Sequence, residues 1–202
     1  MAIKQHKGAT IAIQPRIRKG AFFDAAWRHG CRKFSVYNRT YISSTFSNPI
    51  DEYWNVIENV AIWPVMGERQ IEINGKDAAK FVQYLTTNDI ALLKKGDCQY
   101  TLMCNQDGGI IDDLILYCLD DGYLLVVNAS NIDKDFNWIE SHVMDGVSIE
   151  NLSDNTSLIA LQGPNSRRIL SEFEGFENIL SDLKFYKFRK YNNSQTGIVS
   201  RT

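Results

Sequence analysis

The feature that most constrains this chain is a pair of adjacent aspartates, Asp112 and Asp113, inside the apolar segment Ile110 to Leu119. Branched, aliphatic and aromatic residues after a glycine turn predict a strand, and neighbouring strand residues point to opposite faces. Both faces are otherwise apolar, so we expect at least one carboxylate to lie against apolar side chains. A buried charge usually has a specific partner or a cationic ligand. The alternative is that both aspartates lie in solvent at the frayed start of the strand.

Composition is that of a globular protein with one large domain or two small ones: 202 residues, 44% hydrophobic, formal net charge −2. No apolar run approaches the roughly 20 residues that span a bilayer, and the amino terminus lacks the apolar core of a secretory signal. Four cysteines without CxxC spacing favour reduced thiols, so we expect a cytoplasmic protein without a membrane partner. The histidines, His6, His29 and His142, lie far apart and predict no metal site.

Charge is uneven along the chain. Residues 1–40 carry nine basic side chains against Asp24 alone, whereas the remainder has an acidic excess. Such an arm either attracts polyanions or forms a solvated face that pairs with acidic surface elsewhere. No recognition-helix, zinc-finger or ribonucleoprotein pattern accompanies it, so we expect no nucleic-acid partner.

Hydrophobic periodicity predicts strands joined by hairpins and mixed with amphipathic helices. Asp77 is expected to cap one helix, Ser130 or Asn131 another, and residues 1–20 are expected to be a loosely ordered arm. This mixture predicts an α+β fold rather than a parallel α/β sheet. The predicted strands are 34–38, 70–74, 99–104, 110–119, 123–128 and 157–161. The predicted helices are 21–30, 51–59 and 167–173, together with two amphipathic helices. The apolar face of the first carries Phe81, Val82 and Leu85, and that of the second carries Ile132, Phe136, Ile139 and Val143.

Further residues are candidates for ligand contact. Asn128 closes the apolar strand 124–127, either beside a ligand or simply where a helix begins. Tyr100 and Tyr117 either stack on a flat heteroaromatic ligand or belong to the core. The chain has no GxSxG, P-loop or GxGxxG motif, so three common enzyme signatures are absent from the sequence.

Several separated blocks of the sequence resemble the T-protein (aminomethyltransferase) family of the glycine cleavage system. They are Leu85-Thr-Thr-Asn-Asp89, residues 100–117, Leu125-Val-Val-Asn128, Lys134-Asp135 and Ala160-Leu-Gln-Gly-Pro164. The resemblance implies antiparallel sheets with packed helices, tetrahydrofolate as cofactor, and transfer of a one-carbon unit to it. It also implies three segments: 1–54 as the arm and first part of a discontinuous folate-binding domain, 55–145 as a hairpin-rich subdomain, and 146–202 as a return segment.

The resemblance also implies site residues. The first aspartate of the pair, Asp112, is the expected catalytic group, acting by electrostatic stabilisation and positioning rather than as a strong base. The expected folate-binding positions are Tyr100, Asp112, Asp113, Tyr117, Val127 and Asn128. A small-molecule one-carbon donor is implied as a partner, and a lipoyl carrier protein as another, to which the basic arm would add attraction.

Two departures from the family pattern bear on activity. Pro64-Val-Met-Gly-Glu68 replaces an aspartate-valine-serine-histidine-methionine block, and residues 63–70 are instead similar to the dimethylsulfoniopropionate demethylase branch. A sulfonium or methylamine demethylase is therefore an alternative, as is a folate-binding module without turnover. The family pattern also continues beyond Thr202 into a C-terminal barrel domain that this sequence lacks, so we expect weak or no turnover from these 202 residues alone.

Overall fold

A computed structural model describes residues 16–65, 67–128, 132–192 and 196–202. The described strands are β1 (Arg18–Lys19), β2 (Lys33–Tyr37), β3 (Thr40–Thr45), β4 (Ala61–Pro64), β5 (Arg69–Asn74), β6 (Cys98–Cys104), β7 (Ile110–Cys118), β8 (Gly122–Val127), β9 (Ser148–Asn151), β10 (Ile159–Gln162), β11 (Lys187–Asn192) and β12 (Thr196–Arg201). The described helices are α1 (Phe23–Arg28), α2 (Pro49–Glu58), α3 (Ala78–Leu85), α4 (Ile132–Ser141), α5 (Ser166–Ser171) and α6 (Phe176–Ser181), with a 3₁₀ turn at Ile90–Leu92. None of these helices has the length and apolarity needed to cross a bilayer.

The chain divides into two compact units. The first comprises Met1–Gly67 and Ser157–Ser166. In its described part, β2 and β3 form an antiparallel hairpin, β1 pairs with β3 in parallel, and β4 pairs with β10. Helix α1 packs on the hairpin through Phe23, whose ring lies 4.6 Å from that of Phe34. Helix α2 begins after Asn48, whose side chain accepts a hydrogen bond from the Ile50 N–H at 3.0 Å.

The second unit comprises Glu68–Thr156 and Arg167–Thr202. Its main feature is a five-stranded antiparallel sheet in the order β6-β7-β8-β5-β9. The turn between β6 and β7 requires Gly108, which has a φ of +78° that side chains disfavour. The Asn105 side chain accepts the Gly109 N–H at 2.7 Å and fixes this turn. Hairpin β11–β12 belongs to the same unit.

Strand alternation divides this sheet into two faces. The packed face contains Asp112, Leu114 and Leu116 of β7, and the outer face contains Asp113, Ile115 and Tyr117. Helices α3 and α4 contribute to the core at the packed face, because their apolar stripes follow the helical period. The buried core there comprises Ile71, Ile73, Ala78, Phe81, Val82, Leu85, Ile90, Met103, Leu114, Leu116, Leu125, Val127 and Ile139.

The predicted α+β fold, with antiparallel sheets and packed helices, is confirmed, apart from the short parallel pairing of β1 with β3. One expected cap is wrong: Asp77 precedes α3, but its side chain makes no capping hydrogen bond and lies 3.6 Å from the Lys76 Nζ instead. The other caps, Ser130 and Asn131, and residues 1–15 of the arm lie outside the described residues. The three-segment domain division stays a prediction.

Candidate functional site

The aspartate pair lies across β7, with one carboxylate on each face. Asp112 is 4% exposed and lies among the core residues of the packed face. Asp113 is exposed on the outer face. The expectation that strand alternation buries one carboxylate is therefore confirmed for Asp112, and the alternative of two solvated aspartates at a frayed strand end is wrong.

Asn128 joins the two carboxylates at the end of β8. Its backbone N–H donates to Asp112 Oδ2 at 2.8 Å, and its side-chain amide lies 3.2 Å from Asp112 Oδ1. The same amide lies 2.9 Å from Asp113 Oδ1 and 3.0 Å from the Asp113 carbonyl oxygen. One NH₂ group has two hydrogens for three acceptors, so these contacts share the donors. The orientation of Asn128 is consequently fixed by both aspartates together.

Two further side chains stand near Asp113 on the outer face. The Tyr100 hydroxyl donates to Asp113 Oδ2 at 3.0 Å, while the Tyr100 ring is 48% exposed. This hydrogen bond is the main reason that the pKa of Tyr100 is raised. The second residue is Glu68, a half-buried carboxyl whose pKa is raised by burial and, to a smaller extent, by the charge of Asp113.

A buried acid lies on the packed side of the site. Asp135, on α4, is completely buried and close to Asp112. Burial raises the pKa of Asp135 to about 8, with further contributions from hydrogen bonding to Asp112 and from its charge. The adjacent Lys134 opposes this shift, and its Nζ donates to the Ile111 carbonyl oxygen at 2.5 Å. Helix α4 is thus attached to β7 beside the aspartate pair.

Two predicted folate-binding positions have covered side chains. Tyr117 is 6% exposed; its hydroxyl lies 3.1 Å from Ser200 Oγ, and its ring centroid lies 5.4 Å from that of Phe188. Hairpin β11–β12 therefore covers this end of the outer face. Val127 is 1% exposed and faces the core. A ligand on the outer face would meet the backbone of Val127 rather than its side chain, and the binding roles of both residues stay predictions.

The structure therefore brings together Tyr100, Asp113 and Asn128 on the outer face, with Asp112 directly beneath. This group offers an exposed aromatic ring for stacking and a carboxylate that accepts hydrogen bonds from a ligand. Sequence reasoning placed neither Glu68 nor Asp135 at the site. In the sequence, Lys134-Asp135 stands out only as part of a family block, because an acid in an amphipathic helix is ordinarily solvated.

Comparison with known proteins places this chain in a family. The GCVT N-terminal domain family matches residues 14–202. A protein of Halalkalibacterium halodurans named aminomethyltransferase is 38% identical over 173 residues, which are 85% of this chain and 47% of that protein. A second protein of that name, from Halothermothrix orenii, is 45% identical over 144 residues, which are 71% of this chain and 40% of that protein.

A solved structure has the same fold. The crystal structure of glycine cleavage system aminomethyltransferase T from Bartonella henselae matches with a TM-score of 0.75 at 26% identity. The match covers 85% of this chain and 47% of that structure. The chain thus spans less than half the length of the relatives that it matches here.

Proposed function

The chain belongs to the GCVT N-terminal domain family, and from this premise we propose that it is part of a tetrahydrofolate-dependent one-carbon transferase of the aminomethyltransferase type. The observation that carries the proposal is the connected group of Tyr100, Asp113 and Asn128 on the outer face of the sheet. We propose that this group binds tetrahydrofolate.

The donor and acceptor chemistry of these residues fits that ligand. A reduced pterin has a planar pyrimidine ring whose edge carries several N–H donors, and the outer face offers acceptors and an aromatic ring. Asp113 presents a carboxylate, Glu68 a second carboxyl, and Tyr100 an exposed aromatic surface. Because Glu68 is half-buried, a hydrogen bond that a ligand donates to it would compete less with water than one to a fully exposed carboxyl.

The two aspartates have different roles in this proposal. Asp113 is the carboxylate that a ligand on the outer face reaches directly. Asp112, the catalytic candidate, is a fixed acceptor that acts through Asn128 and through its negative charge beneath the site. A preorganised carboxylate stabilises positive charge that develops on a departing amine, and it needs no reorganisation during the reaction. Asn128 holds the outer carboxylate in a fixed orientation, which positions the reacting groups.

The donor and partners follow the same proposal. The relatives are named aminomethyltransferase, so we propose an aminomethyl donor and a lipoyl carrier protein that presents it. A sulfonium or methylamine demethylase has no better support from the comparisons. We also propose that the protein works in the cytoplasm, because Cys31, Cys98, Cys104 and Cys118 are all free thiols, as a reducing compartment favours.

Calorimetric titration of the full chain with tetrahydrofolate, under anaerobic reducing conditions, tests the proposal. We expect saturable binding by the wild type and binding at least about 10-fold weaker by Asp113→Asn, which is about 1.4 kcal/mol. The matched control is Asp121→Asn, the same chemical change at an exposed aspartate in the turn after β7, which should bind like the wild type. Absence of binding by the wild type, or equal weakening by both variants, would refute the proposed site.

A further inference from the structure

Asp135 is a buried acid among the described residues that the proposed binding site leaves unexplained. Its side chain is completely buried, and no group in the described part of the chain donates a hydrogen bond to either of its carboxylate oxygens. A carboxylate in such a position would lose its hydration without compensation, which is among the most unfavourable arrangements in a protein interior. A neutral carboxylic acid avoids most of that penalty and gains a donor.

Within the described residues, the hydrogen-bond acceptor that affects the pKa of Asp135 is the carboxylate of Asp112. Asp112 already accepts the backbone N–H of Asn128 on one oxygen and its side-chain amide on the other. A carboxylate can accept about four hydrogen bonds, so these two do not exhaust Asp112. The other charged group that affects Asp135 is Lys134, whose Nζ is directed to the Ile111 carbonyl oxygen.

Asp112 and Asp135 are both buried, and two neighbouring carboxylates in a dry site do not readily both ionise, so one of them holds a proton. Among the described residues, Asn128 donates hydrogen bonds to both carboxylate oxygens of Asp112. Asp135 has no such donors in the described residues and is therefore the member that stays protonated. Burial and the nearby Asp112 both raise the pKa of Asp135, to about 8.

We propose that Asp135 is a positioning residue whose neutral carboxyl donates its proton to Asp112, so that Asp112 in turn holds Asn128 toward Asp113. The link runs from α4 through the packed face of β7 to the outer face. The effect of this link on ligand binding rests on the proposed function, whereas the donation of a proton from Asp135 to Asp112 does not. When Asp135 loses its proton, two negative charges face each other beneath Asn128, and the orientation of Asn128 is released.

The protonation of Asp135 is measurable in the wild-type chain. With carbon-13 in the aspartate carboxyl groups, an NMR titration from about pH 5 to about pH 10 begins above the ordinary aspartate pKa of about 3.9, so only a carboxyl with a raised pKa changes its signal. We expect one carboxyl to titrate about four units higher than that ordinary pKa, and its resonance to be absent from Asp135→Asn. A chain in which every aspartate carboxyl has lost its proton by about pH 6 would overturn the proposal.

Two variants test the link to Asn128. Asp135→Asn keeps a donor of the same shape that does not titrate, whereas Asp135→Val has nearly the same volume and no donor. In nitrogen-15 spectra near neutral pH, we expect the backbone and side-chain amide signals of Asn128 to keep their positions in Asp135→Asn and to move in Asp135→Val. The wild-type signals should shift with the high-pH titration of Asp135, and those of Asp135→Asn should not.

If the Asn128 signals titrate equally in the wild type and Asp135→Asn, the proposal is wrong even where Asp135→Val fails to fold. Binding of tetrahydrofolate is a separate measurement. A wild-type chain that shows the Asp135 titration but binds no tetrahydrofolate supports the proton donation and rejects the proposed function. A chain that binds tetrahydrofolate without any high-pH carboxyl titration supports the proposed function and rejects the proton donation.

Discussion

The two faces of β7 give neighbouring aspartates different environments. On the packed face, Asp112 is surrounded by core residues and accepts hydrogen bonds on both oxygens. On the outer face, Asp113 is exposed, although Tyr100 and Asn128 donate to it. One residue of sequence thus separates a carboxylate that is fixed from one that is accessible, and Asn128 is the side chain that contacts both.

This difference shows how a sheet can hold a polar site rigidly without burying it. Helices α3 and α4 contribute to the packed core and restrict the backbone of β7 and β8. The strands that carry the outer-face groups are therefore held by the core on the opposite face of the sheet. We therefore expect substitutions on the packed face to act mainly on stability and those on the outer face mainly on ligand binding.

The largest expected effect is the removal of core volume from the packed face. Leu116 is completely buried, so Leu116→Ala should lower the free energy of unfolding by about 2–5 kcal/mol. The matched control is Ile115→Ala, one residue along β7 on the outer face, where the side chain is half-buried. Urea unfolding followed by circular dichroism measures both. Equal losses would mean that the two faces do not differ as described.

The next effect is a dependence of stability on pH that originates at Asp135. The pKa of Asp135 is raised from 3.8 in the unfolded chain to about 8 in the folded one, so the folded state holds a proton that the unfolded state releases. The contribution of this proton to the free energy of unfolding is complete at pH values below the pKa of Asp135 in the unfolded chain. It is lost as pH rises through the pKa of Asp135 in the folded chain, at about 1.4 kcal/mol per pH unit.

Asp135→Asn removes this dependence of stability on pH. Relative to the wild type, we expect the variant to gain stability steadily as pH rises between the two pKa values of Asp135. Urea midpoints measured in parallel for the two chains give the difference at each pH, and groups common to both cancel. A difference that is constant with pH would show that Asp135 titrates normally.

A smaller effect is expected from removing the side chain that contacts both aspartates. Asn128→Ala leaves Asp112 with the backbone N–H of residue 128 but without the side-chain donor, so we expect a loss of about 1–3 kcal/mol. Asn178→Ala, at an exposed position of α6, is the control and should change stability by less than about 0.5 kcal/mol. Thermal unfolding distinguishes the two, and indistinguishable midpoints would argue against the bridging role.

The smallest effect on stability is expected on the outer face. Tyr100→Phe removes one hydroxyl that donates to an exposed carboxylate, so the free energy of unfolding should change by less than about 0.5 kcal/mol. Affinity for tetrahydrofolate should nevertheless fall, because Asp113 loses one of the two side-chain donors that orient it. Calorimetry and urea unfolding of the same sample test both parts. Unchanged affinity would remove Tyr100 from the proposed site.

Local periodicity is enough to predict β2, β5, β6, β7, β8 and β10 and the opposite orientations of Asp112 and Asp113, because side chains alternate along a strand whatever packs against it. It does not predict β1, β3, β4, β9, β11 or β12. The placement of Tyr117 depends on hairpin β11–β12, which is more than 60 residues away and pairs by contacts that no local pattern encodes. Asp135 looks like an ordinary acid near the start of a helix in the sequence. Only the packing of α4 against β7 buries it, and burial is what changes its chemistry.

The most direct measurement is a nitrogen-15 NMR titration of the wild-type chain with tetrahydrofolate, read residue by residue. We predict that the largest shifts fall on Tyr100, Asp113 and Asn128, with small shifts at Leu116 on the packed face. No shifts, or shifts concentrated in the first unit, would contradict a folate site on the outer face of this sheet.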